Sequence, residues 1–268
     1  MAKNSLKVQP FVLTIAGSDP SCGAGIQADL KVFAVLGVHG LCTLSCSTAQ
    51  VPGAVKEIHP LPASHLTSQL NLLLQTYPVA TIKTGMLHSA ELMRSVLDCL
   101  EKNNFCGHLI VDPVIQSSSG NMLIDSEGIN LFRKRFIPNS SLFTPNLNEA
   151  AILLDSPSIT MENFTRSAEE LYNRYNVPVL LKGGHLDAEE ATDILISEKG
   201  IRRYSAPFMQ NIDPHGTGCT YSAAIASYLA LGHSLEKAVS LAKNYITSAI
   251  SNCHRIANGQ QFLGKPSP

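Results

Sequence analysis

The amino-acid sequence predicts an α/β chain, a three-layer α/β/α sandwich with a mostly parallel central sheet. Short apolar runs bounded by Gly, Pro or polar residues alternate with stretches of helical periodicity, and no internal repeat or Pro/Gly/Ser linker divides the chain. Strand and helix alternating this often imply right-handed crossovers, with helices on both faces of the sheet.

The elements follow in order. "FVLTIA" (11–16) is the first strand, and Ile26, Leu30, Phe33 and Gly37 then fall at helical spacing. "TLSCST" (43–48) is the next strand, before a helix marked by Leu66, Leu70, Leu73 and Leu74. "ATIKTG" (80–85) precedes a helix carrying Leu92, Val96 and Leu100. "HLIVDP" (108–113), "SLFTPN" (141–146), "VPVLLKGG" (177–184) and "TDILIS" (192–197) complete the strands. "HGTGC" opens the penultimate helix, and "NGQQFLGKPSP" reads as an extended tail. One domain over 1–268 is expected, with its core at about 10–250 and a tail at 251–268.

Composition narrows the function. A formal net charge of -1 with 15% charged residues provides no basic face for a phosphate backbone, so no nucleic acid partner is expected. The 7 cysteines are odd in number and include no CxxC pair, which fits neither a disulfide framework nor a zinc site. Reduced thiols in the cytoplasm are the expectation. "FVLTIAG" is too short for a signal peptide or a membrane span, so no membrane partner is expected.

In a parallel sheet, ligands bind at the carboxyl ends of the strands, and those ends are polar or glycine-rich here. Gly216, Thr217, Gly218 and Cys219 stand at the start of an apolar helix, where free amides and the positive end of the helix dipole favour an anion such as phosphate. A thiol at that position has its thiolate favoured, which makes Cys219 a candidate base or nucleophile; a small buried cysteine is the alternative. Residues 23–28 fit G-x-G-x-x-A, but 41–56 lack the acidic residue that a dinucleotide ribose requires. What remains is a glycine-rich turn flanked by Asp19 and Asp29, with Asp29 either a ligand contact or a solvated helix residue. Asn146 and Glu149 form either a capping box or, with Asp112, a polar edge for Mg2+. Lys182 could reach a nucleotide phosphate or simply snorkel to solvent. An anion cradle, carboxylates, a lysine and a base are together what phosphoryl transfer requires.

"LTIAGSDPSCGAGIQADLK", "TAQ", "KTGML", "VDPV", "SSSGNML", "TPNLNEA", "LLKGGH" and "HGTGCTYSAAIA" occur in the order and spacing of the hydroxymethylpyrimidine and phosphomethylpyrimidine kinases of thiamine synthesis. From about residue 10 to 250 the chain resembles that family. The resemblance implies a ribokinase-like fold and two successive ATP-dependent phosphorylations of a small pyrimidine, first of the alcohol and then of the monophosphate. It implies Cys219 at the position of the base, ATP and Mg2+ as cofactors with a monovalent cation as a further candidate, and a homodimer. It also implies that Gln50 bonds the aminopyrimidine edge, that Met86 and Val114 pack on the ring, and that Gly17 and Ala24 approach it through backbone, while Asn146, Glu149 and Lys182 match the magnesium and ATP-phosphate positions. Cys22 stands where a glycine is common, and "TAQVPGAV" is one residue short of the usual stretch. Relatives of the same fold phosphorylate pyridoxal, the alternative substrate. The subgroup that acts on both has a second cysteine in the segment that here reads "IQSSSG".

Overall fold

A computed structural model describes residues 9–117, 120–184, 186 and 189–266. Three motif residues, 118, 119 and 185, lie outside the described residues. The chain runs β1 (Phe11–Ser18), α1 (Gly25–Leu36), β2 (His39–Val51), β3 (Ala54–Pro60), α2 (Ala63–Thr76), β4 (Val79–Thr84), α3 (Ala90–Lys102) and β5 (His108–Val111). It continues through α4 (Ser126–Leu131), β6 (Leu142–Phe143), α5 (Leu147–Leu154), α6 (Phe164–Tyr175), β7 (Val179–Lys182), β8 (Glu190–Ser197), β9 (Gly200–Pro207), α7 (Thr217–Ala230), α8 (Leu235–Ser251), β10 (His254–Arg255) and β11 (Gln261–Phe262).

Nine strands form one sheet in the order β3-β2-β1-β4-β5-β6-β7-β8-β9. The pairings from β2 to β7 are parallel, whereas β3, β8 and β9 join antiparallel at the edges. The central strands alternate between two cores. Leu13, Ile82, Val111 and Leu181 point to the face covered by α2 to α6, while Val12, Ile110 and Leu180 point to the face covered by α1, α7 and α8. Burial on both faces explains why these strands read as unbroken apolar runs.

The edges depart from the sequence reading. β3 ("AVKEIHP") and β9 ("GIRRYSAP") were not expected, because each lies at a sheet edge with most side chains exposed and shows no apolar run. β6 shrinks to Leu142–Phe143, since Pro145, lacking an N–H, cannot extend the ladder and offers only its carbonyl, which accepts from the Lys182 amide. The expected extended tail instead folds back, with β10 and β11 pairing as an antiparallel hairpin that bridges to His215.

α7 lies against the sheet beneath β1, β4 and β5 and between α1 and α8. Ala223, Ala224 and Ala226 are fully buried, so small side chains let the helix approach the strands closely and fix its N-terminus at their carboxyl edge.

Candidate active site

All the parallel strand ends contribute to one cavity of about 210 Å3. Ser18 and Asp19 follow β1, Gln50 closes β2, Met86 follows β4, Asp112 and Val114 follow β5, Asn146 follows β6 and Lys182 ends β7. The N-terminus of α7 closes one side with Gly216, Thr217, Gly218 and Cys219. Gly17 and Ala24 also line it. A second cavity of about 520 Å3 adjoins on the α8 side, lined by Asn148, Met209, Ile246 and Ile250. Asn146, Lys182, Thr217 and Gly218 line both.

The loop at the start of α7 is built by backbone geometry. Gly216 caps α7 with φ 86, and a Cβ there would overlap the Gly23 carbonyl oxygen, so only glycine fits. The first bond of the helix ladder is Thr220 N–H to Gly216 C=O at 3.0 Å, which leaves the amides of residues 217–219 ahead of it as the free donors of a helix start. A Cβ on Gly218 would stand 3.3 Å from Lys182 Nζ, so this glycine keeps the ammonium beside those amides.

Charge is arranged around them. Lys182 Nζ donates to Asp112 Oδ1 at 3.0 Å, Ser222 Oγ donates to Asp112 Oδ2 at 3.1 Å, and Thr144 Oγ1 donates to Oδ1 at 3.3 Å. Burial alone would raise the Asp112 carboxyl, but Lys182 and Lys83 hold it below its ordinary value. Asn146 and Glu149 form the reciprocal capping box, each side chain accepting the other's amide at 2.9 Å. Glu149 nonetheless faces the cavity, and burial pushes its carboxyl up to about 7. No cluster of three His, Cys, Asp or Glu among the described residues could cage a metal. The donors therefore fit Mg2+ only in the sparse mode, one or two carboxylates with waters and phosphate oxygens completing the shell.

Two expectations are corrected. Asp29 is neither solvated nor a substrate contact: it is fully buried, its oxygens accept from Lys83 Nζ at 2.9 and 3.0 Å and from Thr14 Oγ1 at 2.6 Å, and it does not line the cavity. A lone carboxylate facing an apolar sheet requires a counter-charge, and β4 provides it. Cys219 does not rest as a thiolate. Burial pushes its thiol up to about 11, against the opposing effects of Lys83 and the Gly25 amide, so removal from water outweighs the helix terminus.

Sequence reasoning did not assign Lys83, His215 or Ser222. Lys83 is hidden inside an apolar strand, and the signal for it was a second buried charge of opposite sign in α1. His215 lines the cavity with its Nε2 3.0 Å from Asp19 Oδ2. Asp19 in turn accepts the amides of Ser21, Gly23 and Ala24; burial would raise it, yet hydrogen bonds from His215, Gln50, Ser21 and Ala24 hold it far below the usual carboxylate range. Cys22 has φ 59, which accounts for the glycine expected there, and Val114 is held at φ 44, a strained conformation for a β-branched residue at the cavity wall. The pairing of β2 with β3 shifts register between Ala49 and Gln50, where the loop is one residue short.

The phosphomethylpyrimidine kinase family model matches residues 19–263. The chain is 39% identical over 248 residues to the thiamine biosynthesis bifunctional protein ThiED of Geobacter sulfurreducens, covering 92% of this chain and 50% of that one. It is 34% identical over 255 residues to the hydroxymethylpyrimidine/phosphomethylpyrimidine kinase of Aquifex aeolicus, covering 94% and 99%. The chain thus spans about half the length of its bifunctional relative and nearly all of the shorter one. An ADP complex of Bacillus subtilis pyridoxal kinase superposes with TM-score 0.88 at 28% identity, covering 97% of this chain and 98% of that one.

Proposed function

The chain belongs to the phosphomethylpyrimidine kinase family, and on that premise we propose that it transfers the γ-phosphoryl of ATP to hydroxymethylpyrimidine and then to its monophosphate, within thiamine biosynthesis. The observation that carries this reading is the meeting of two cavities at a shared anion loop, Thr217 and Gly218 with Lys182 and Asn146. Two substrates can occupy separate cavities and exchange a group only where the cavities touch.

The smaller cavity takes the pyrimidine. Gln50 offers both a donor and an acceptor to an aminopyrimidine edge, and Met86 and Val114 supply apolar faces to the ring. The larger cavity takes ATP, its apolar wall of Met209, Ile246 and Ile250 receiving the base and Lys182 the phosphates. In the step itself, the substrate oxygen forms a bond to the γ-phosphorus and the bond to the ADP oxygen breaks. Amides 217–219 hold the transferring oxygens, and Lys182 offsets their charge. Cys219 first gives up its own proton to solvent, Lys83 and the Gly25 amide stabilising the thiolate that results, and that thiolate then accepts the proton of the attacking hydroxyl. Glu149 and Asp112 would hold Mg2+, which neutralises phosphate charge when bound.

The protein acts in the cytoplasm as a homodimer on this reading. The free state of all 7 cysteines supports a reducing compartment, and no described helix is long and apolar enough to cross a membrane. Light scattering on the purified protein tests the dimer.

A second reading, a pyridoxal kinase, draws on the Bacillus subtilis neighbour. ADP release measured side by side with hydroxymethylpyrimidine, its monophosphate and pyridoxal separates them. Turnover of both pyrimidines is expected; turnover of pyridoxal alone would overturn the main reading.

A further inference from the structure

On the kinase reading, the amides at 217–219 must hold one geometry, yet residues 211–216 before them form no helix or strand beyond the bridge at His215. The β10–β11 hairpin secures them. Gln261 Oε1 accepts from the Asp213 amide at 2.8 Å, Gln261 Nε2 donates to the Asn211 carbonyl at 2.9 Å, and the Gln261 carbonyl accepts from the His215 amide at 3.3 Å. Alternate residues 211, 213 and 215 are thus fastened to a single glutamine, whose carboxamide supplies a donor and an acceptor as a strand peptide would. Asn211 sits at φ 60, a conformation asparagine tolerates, and its carbonyl is the one that Gln261 receives.

The same hairpin reaches the substrate side. Phe262 packs at Gly23, where a Cβ would come within 3.3 Å of its ring, and Gln260 Nε2 donates to the Pro52 carbonyl at the β2–β3 turn at 3.2 Å. Gly264 N–H donates to the Ala249 carbonyl of α8 at 3.0 Å, which anchors the hairpin to the core.

We propose that Gln261 is a positioning residue for phosphoryl transfer, holding the loop that precedes the anion-binding amides at the height the reaction needs. It lines neither of the two substrate cavities, and its side chain acts through Asp213 and Asn211 while its main-chain carbonyl holds His215. The loop lines the larger cavity with Ile212, Asp213 and Pro214 and the smaller with His215 and Gly216, but the other walls of both belong to the sheet and to α8, so a displacement of a fraction of an ångström bears most on the alignment of the transferring group.

The test compares Gln261→Ala and Gln261→Glu with the wild type in kcat, KM, melting temperature and hydrogen–deuterium exchange. Gln261→Ala should lower kcat about tenfold, with both KM values within about twofold, because misalignment acts on the transition state rather than on ground-state binding. Exchange should quicken over 211–219 and nowhere else, and the melting temperature should hold. Gln261→Glu keeps the acceptor for Asp213 and loses the donor to Asn211, so its kcat should fall between. Unchanged kcat and exchange in Gln261→Ala would overturn the assignment, as would a kcat loss accompanied by faster exchange throughout the chain. If the wild type releases no ADP with any acceptor, the kinase reading fails, while the exchange measurement still decides whether Gln261 holds the loop.

Discussion

Cys219 shows how burial and chemistry compete at a single residue. Removal from water favours the neutral thiol, while Lys83 and the Gly25 amide favour the thiolate. A raised thiol pKa means that the folded state binds the proton more tightly than the unfolded state. Its contribution to stability is therefore complete below the ordinary value of 9.0 and lost as pH climbs towards about 11. Alkylation of Cys219 by iodoacetamide, followed on its own peptide, should be slow at pH 8 and accelerate over that window. The exposed Cys22 and Cys106 in the same chain provide the internal comparison. Cys219→Ala should retain ligand binding and lose most turnover; unchanged turnover would remove the thiol from the reaction.

The decisive element is α7. Its N-terminus presents three free amides because Gly216 turns the chain at φ 86, and its alanine face seats it against the sheet. Gly216→Ala meets both a strained backbone and the Gly23 carbonyl. The left-handed conformation alone costs about 1–2 kcal/mol, so the melting temperature should fall by several degrees and stabilisation by Mg-ATP should largely disappear. The start of α7 was legible because glycine, threonine and glycine before an apolar helix have few other uses. β3 and β9 were not, since an exposed edge strand has no hydrophobic period to read. At α5 the capping-box reading holds, and the same Glu149 also lines the cavity.

Across the whole molecule, buried charge pairs tie helices to the sheet. Lys243 of α8 donates to Asp193 Oδ2 and to the Ala191 carbonyl of β8, both at 2.7 Å. Lys243→Met would leave Asp193 buried without its counter-charge, and a loss of roughly 3–5 kcal/mol is expected in urea unfolding. Ligand binding should act in the opposite direction: Mg-ATP should raise the melting temperature and NAD should not, because a ligand stabilises only the state that binds it. A rise with NAD alone would restore the dinucleotide reading of residues 23–28.

The sequence by itself determined the alternation of elements, seven of the nine strands of the main sheet and the glycine-rich start of α7, because periodicity, glycine placement and helix starts are local properties of the chain. Tertiary structure alone decided that Asp29 faces Lys83 across 54 residues, that Asp19 meets His215 across 196, and that a hairpin read as a loose tail grips the loop at 211–215. Such pairings depend on which strand lies beside which, and a buried charge reveals its partner only once the sheet has brought the two together.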